Sequence, residues 1–210
     1  MNQKIVETSG GISLIIGSLL LTMYAVAFPL LLPVKGNSID MALVVLNPNW
    51  RWITTVAFVG VLLMMAGFAT VYSRLLAGSG VTGLLGFIFI EAAYFLQACK
   101  VTWEIFLYPV IASNPGSAFL LRDGIIKHDP MVIAFRTGSS IIIFLGIVLF
   151  CLALVRSKTS PKIAAFLIFA GALVYALGPL LSVMVAIAGI FTLSIGCLIL
   201  GLKLVRMQNT

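Results

Sequence analysis

Gly83 to Glu104 reads GLLGFIFIEAAYFLQACKVTWE, an apolar run that carries Glu91, Tyr94, Gln97, Lys100 and Glu104. A helix needs ~20 mostly apolar residues to cross a bilayer, and this stretch has the length. An ionisable side chain near mid-membrane costs at least ~2.5–3.5 kcal/mol, so it turns toward protein or water rather than lipid. The stretch therefore predicts a membrane-spanning helix that forms the inner wall of any site.

The composition around it agrees. The chain has 210 residues, 61% hydrophobic and 9% charged, where soluble domains average ~45–50% apolar and ~25% charged residues. Apolar runs recur at about residues 11–32, 53–72, 83–104, 137–155, 161–177 and 180–202. They predict an all-α polytopic membrane protein, a six-transmembrane-helix bundle. Residues 1–210 form one integral membrane domain, because no hydrophilic stretch is long enough to fold separately.

The first run has a signal-peptide-like step at Ala25-Val26-Ala27, but its apolar stretch is long for a signal sequence. It reads as a retained helix ended by Pro29 and Pro33. The fifth run has 17 residues, and ~1.5 Å per residue gives roughly 25 Å against a ~30 Å hydrocarbon core. Ser160 and Pro161 read as its cap and first helical position, and Gly178-Pro179 as a tight turn into the sixth run.

Two connections are long and apolar. Lys35 to Trp52 holds MALVVL (Met41 to Leu46), too short to span and suited to the interface, and Trp50 and Trp52 beside Arg51 form an aromatic belt. Ile105 to Phe135 holds further apolar pieces around Ser113-Asn114-Pro115-Gly116, and reads as interfacial or re-entrant. Lys4, Arg74, Arg156, Lys158, Lys162, Lys203 and Arg206 fall on one side, and Lys35, Arg51, Arg122, Lys127 and Arg136 on the other. The first set lies in shorter segments. This predicts a multi-pass protein of the cell membrane with both termini cytoplasmic and apolar exoplasmic loops. Glycines recur seven apart, at Gly10 and Gly17, Gly60 and Gly67, Gly171 and Gly178, and Gly189 and Gly196. Each pair lies on one helix stripe and reads as close helix packing.

The polar residues of the third run divide by depth. Gln97, Lys100 and Glu104 share one face, and Lys100 and Glu104 have the i, i+4 spacing of an ion pair. Glu91 points almost opposite to Lys100, lies deeper, and has no basic partner one turn away on its own helix. Arg136, Ser139 and Ser140, at the start of the fourth run, form a polar strip facing the third. Together Glu91, Tyr94, Gln97, Lys100, Glu104, Arg136, Ser139 and Ser140 are the candidate ligand-binding residues. The structural alternative for Lys100, Glu104 and Arg136 is a charge cluster that ties helix ends together.

Several chemistries are excluded or lack a signature. His128 is the only histidine, which excludes a bis-histidine haem and a clustered-histidine metal site. Cys99, Cys151 and Cys197 form no Cys-x-x-Cys pair and read as small apolar residues. There is no Gly-x-Ser-x-Gly elbow, no His-Glu-x-x-His and no phosphate-binding loop, so no catalytic residue is assigned and a membrane-embedded enzyme ranks third among the readings. Its net charge of +7 comes from scattered helix-end residues, which is no footprint for nucleic acid. No motif names a cofactor, and a bound lipid or pigment stays open.

The Gly-rich entry Gly83 and Gly86 followed by Glu91-Ala92-Ala93 resembles the third helix of a group of uncharacterised bacterial six-helix membrane proteins. The likeness covers about the first four helices and implies no activity. The six-span size also resembles the substrate-binding subunits of vitamin transporters, without their motifs. Two functions fit: small-molecule binding or transport through a site walled by the third and fourth helices, or a non-catalytic subunit of a larger membrane complex. The partners implied are the lipid bilayer and either other membrane subunits or further copies of the chain.

Overall fold

In a computed structural model of the protein, residues 3–34, 40–76, 78–122 and 125–206 are described, and every regular element among them is helical. Six long helices carry the fold: α1 (Gln3–Leu31), α2 (Trp50–Val71), α3 (Gly80–Thr102), α4 (Pro130–Arg156), α5 (Lys162–Leu181) and α6 (Val183–Arg206). Among the described residues, five helices are long and apolar enough to cross a membrane. Six spans are expected from the sequence; five helices qualify by length and composition. The remaining helix, α5, is not among them; it includes a shorter apolar stretch, Lys162–Gly178.

Each long helix packs on its neighbour in sequence, and α6 returns to α1, so the six close into a ring. The α4–α5 seam is the sparsest in that ring. Glycine sets the approach distances. Gly10 and Gly17 of α1 lie over Thr70 and Met64 of α2, while Gly60 and Gly67 of α2 lie over Leu20, Leu21 and Leu14. Gly86 of α3 faces Phe150 of α4, and a Cβ placed there would stand 2.6 Å from the Phe150 backbone nitrogen. Gly171 and Gly189 each leave room for the other's carbonyl oxygen across α5 and α6, and Gly11 meets Gly201 where α6 closes on α1. The seven-residue glycine spacing is thus helix packing, as small residues allow where lipid supplies no hydrophobic drive.

These contacts make successive helices antiparallel. One end of the ring, the basic end, therefore gathers Lys4, Arg74, Arg156, Lys158, Lys162, Lys203 and Arg206. Leu14, Met64, Phe68, Ile90, Phe150, Leu154, Ile168 and Leu200 fill the interior. At the other end, the loop end, Trp50, Ile53, Val44 and Leu121 form a second apolar cluster. The short helix Met41–Leu46 forms there, as its sequence predicts. Asp40 caps it by accepting from the Ala42 and Leu43 amides at 3.0 and 3.4 Å, and pairs with Arg122 at 3.5 Å. Lys35 and Asp123 lie outside the described residues.

Several element ends differ from the sequence expectation, each for a local reason. The first helix runs through Pro29 to Leu31 and begins well before residue 11. Thr8 and Ser9 return their hydroxyls to the Lys4 and Ile5 carbonyls at 2.8 and 2.6 Å, so these polar side chains are satisfied within the helix. The third run does not end in a loop at Ile105. It passes through a π-helical turn, Trp103–Leu107, into the helix Tyr108–Ser113. The fourth begins at Pro130 rather than Thr137, because Asp129 accepts from the Met131 and Val132 amides at 2.8 and 3.2 Å and Pro130 occupies the first helical position. At the fifth, Pro161 rather than Ser160 takes the cap, and the Ser160 hydroxyl is buried without a hydrogen-bond partner among the described residues. The chain does not turn at Gly178-Pro179. Helix α5 continues to Leu181, and the break comes at Ser182 with extended backbone, φ −168° and ψ 160°.

Candidate functional site

Glu91 stands eleven residues into α3, about 17 Å along the helix axis and so near the middle of a ~30 Å hydrocarbon layer. Its surroundings are set by the aromatic residues one turn either side. Phe87 stacks on Tyr72 with ring centroids 4.5 Å apart and planes 8° apart. Tyr94 stacks on Phe68 at 5.7 Å and 28°. Residues three and four apart share a helix face, so Glu91 sits on the side of α3 that meets α2, between these two ring pairs. The sequence expectation placed the site between α3 and α4. That seam is instead occupied by the close contacts of Gly86 with Phe150 and of Gly146 with Ile90. The Oε1 atom of Glu91 is buried and has no hydrogen-bond partner among the described residues.

The Lys100–Glu104 pair expected from the i, i+4 spacing forms at 3.4 Å, with Lys100 partly exposed and Glu104 nearly buried. Its position depends on the backbone. Glu104 lies in the π turn, where a carbonyl pairs with the amide five residues on. For Glu104 that residue is Pro109, which has no N–H. The indole Nε1 of Trp50 donates to the Glu104 carbonyl instead, at 2.8 Å, and the Trp50 ring is held edge-on by Phe28 at 6.2 Å. One proline thus fixes where α2 and the extended α3 meet at the loop end.

Two tyrosines outside the predicted set join this region. Tyr24 of α1 lies within electrostatic reach of Glu104 and of Tyr175 from α5, and Tyr175 also reaches Tyr94. Tyrosines of α1, α3 and α5 are thus linked electrostatically through Tyr175, which is itself about half exposed. A sequence signal existed for one of the two. Tyr24 sits inside an apolar run, away from the membrane boundary where tyrosine usually collects, whereas Tyr175 lies near the end of its run and carries no such signal. A further interhelical contact joins α1 to α6, where the Thr22 and Ser194 hydroxyls stand 2.6 Å apart and Ser194 donates to the Ser18 carbonyl at 3.2 Å.

The remaining predicted residues are not brought to Glu91. Gln97 is half-buried on α3, and Arg136 is exposed and makes no ion pair among the described residues. Ser139 and Ser140 donate to the Phe135 and Arg136 carbonyls of their own helix at 2.7 and 2.9 Å. What joins the two helices at this level is aromatic: Trp103 stacks on Phe135 at 5.8 Å. Among the described residues no three metal-ligating side chains cluster, and all three cysteines are free thiols. The chain matches no protein-family model, no curated protein and no solved structure.

Proposed function

We propose that the chain is a six-span protein of the cell membrane that binds a small molecule through Glu91, as a binding or transport protein. The observation that carries this reading is the buried, unpartnered Oε1 atom of Glu91 half-way along a spanning helix. A buried carboxyl oxygen without a partner costs about 1–3 kcal/mol or more, and intramembrane carboxyls mark ligand and ion paths. The matching ligand carries a hydrogen-bond donor or a positive charge, with an apolar body to lie between the Tyr72–Phe87 and Phe68–Tyr94 ring pairs. The 20 residues of α5 give a helix of about 30 Å, which supports counting it as the sixth span. The basic end, with seven lysines and arginines, is then cytoplasmic and carries both termini. The Gly83, Gly86 and Glu91-Ala92-Ala93 pattern suggests a bacterial membrane as the setting.

The test is mass spectrometry of protein purified gently from its native membrane, wild type beside Glu91→Gln. A stoichiometric small molecule on the wild type, lost from a variant with the same gel-filtration profile, supports the reading. Equal retention by the variant refutes the role of Glu91. Stoichiometric partner chains with no small molecule would favour the complex-subunit function instead.

A further inference from the structure

A concavity lies at the basic end, far from Glu91. It has a volume of about 530 Å³ and is lined by Arg74, Ser79, Arg156, Ser157, Lys158 and Thr159 among others. Its walls come from the π turn after α2 (Tyr72–Leu76), the start of α3 and the end of α4. The walls are tied together. Ser157 donates to the Leu75 carbonyl at 2.9 Å, and its oxygen in turn accepts from the Thr159 amide at 3.3 Å. Arg74 is held in place by Glu7 of α1 through Nε at 3.2 Å. Glu7 is the only acidic residue at this end of the sequence, and Arg156 and Lys158 make no ion pair among the described residues. Three cations and three hydroxyl residues thus converge on one pocket that a single carboxylate offsets.

We propose that this pocket binds the phosphate group of an anionic phospholipid. Arginine and lysine match phosphate oxygens through charge-assisted donors, and basic pockets between helices at the cytoplasmic side hold anionic headgroups. What selects a lipid over free phosphate is the surface that leads away from the pocket. From Gly80 along α3, Val81, Leu84 and Leu85 are exposed, and from Arg156 back along α4 so are Val155 and Leu152. This apolar track starts at the pocket and runs toward mid-membrane, where acyl chains lie. Lys162, Lys203 and Arg206 share the same end but do not line the pocket, so general attraction to an anionic surface and a defined site make different predictions.

The experiment titrates the full-length protein in neutral detergent with dioctanoyl phosphatidylglycerol, dioctanoyl phosphatidylcholine and inorganic phosphate, and counts bound molecules by native mass spectrometry. The expected result is one phosphatidylglycerol bound in clear preference to phosphatidylcholine. Arg156→Gln with Lys158→Gln should weaken that binding by about tenfold or more, while Lys203→Gln with Arg206→Gln, an equal loss of charge outside the pocket, leaves it within about twofold. All four side chains are exposed, so neither pair threatens folding. Equal affinity for the two lipids, or equal losses from the two variant pairs, would overturn the proposal. Binding of inorganic phosphate without the lipid would overturn the lipid assignment.

Discussion

Replacing Trp50 with Phe tests the reasoning that ties Pro109 to the loop end of the ring. The indole Nε1 donates to the Glu104 carbonyl at 2.8 Å, and Trp50 is 1% exposed. Phenylalanine keeps a ring against Phe28 and removes the donor. The carbonyl is then a buried orphan, which costs about 1–3 kcal/mol. The smaller ring leaves a void worth about another 1 kcal/mol. The second half of the test is Pro109→Ala, which restores an amide five residues after Glu104. In that background the carbonyl has a replacement donor, so Trp50→Phe should cost about 1–2 kcal/mol less than in the parent. The assay is reversible unfolding of the full chain in mixed micelles, followed by circular dichroism, as a double-mutant cycle. A coupling below about 0.3 kcal/mol would show that the indole does not fill a vacancy left by the proline, and the account of the π turn would fail.

Three further outcomes follow from the geometry. Gly86→Ala should destabilise the protein by about 1–3 kcal/mol, because its Cβ would stand 2.6 Å from the Phe150 nitrogen; Gly138→Ala, with nothing within 4 Å, should be neutral or stabilising by up to about 1 kcal/mol, and equal effects in the same unfolding assay would sink the glycine argument. Thr22→Val should cost about 0.6–1.7 kcal/mol through loss of the 2.6 Å contact with Ser194, and should cost nothing further once Ser194 is alanine. Asp129→Ala should fray the start of α4 at a cost of about 0.5–2 kcal/mol, read as faster amide exchange at Met131 and Val132, whose N–H groups it accepts.

The number of long helices was legible, and so was the close packing of their glycine stripes, but which helices pair was not. Apolar length marks each helix, and glycines seven apart mark which stripe meets a neighbour. The start of α4 was legible too, in Asp129-Pro130, but the apolar and charged pieces around it read as one long loop. The continuation of α3 past Glu104 was not legible. A π turn adds one residue to a helical turn and leaves no hydropathy period of its own. At the candidate site, Lys100 with Glu104 was set by spacing on one helix and formed. The Arg136, Ser139 and Ser140 strip depended on how α4 is rotated, which one helix's sequence does not encode, and its hydroxyls turned back to their own carbonyls. The α2 side of Glu91 was hidden for the same reason, because it is defined by Tyr72 and Phe68 from another helix.

The glycine contacts also impose an order in time. Gly17 against Met64, Gly86 against Phe150 and Gly171 against Leu193 each join helices that are consecutive long elements of the chain. Each hairpin can therefore form as soon as its second helix leaves the ribosome, with no need for later sequence. The contact of Gly11 with Gly201 is of another kind, since it joins the first helix to the last. Until synthesis reaches α6, the Gly11 stripe of α1 has no partner and faces lipid. The ring stays an open arc until α6 is inserted and closes on α1.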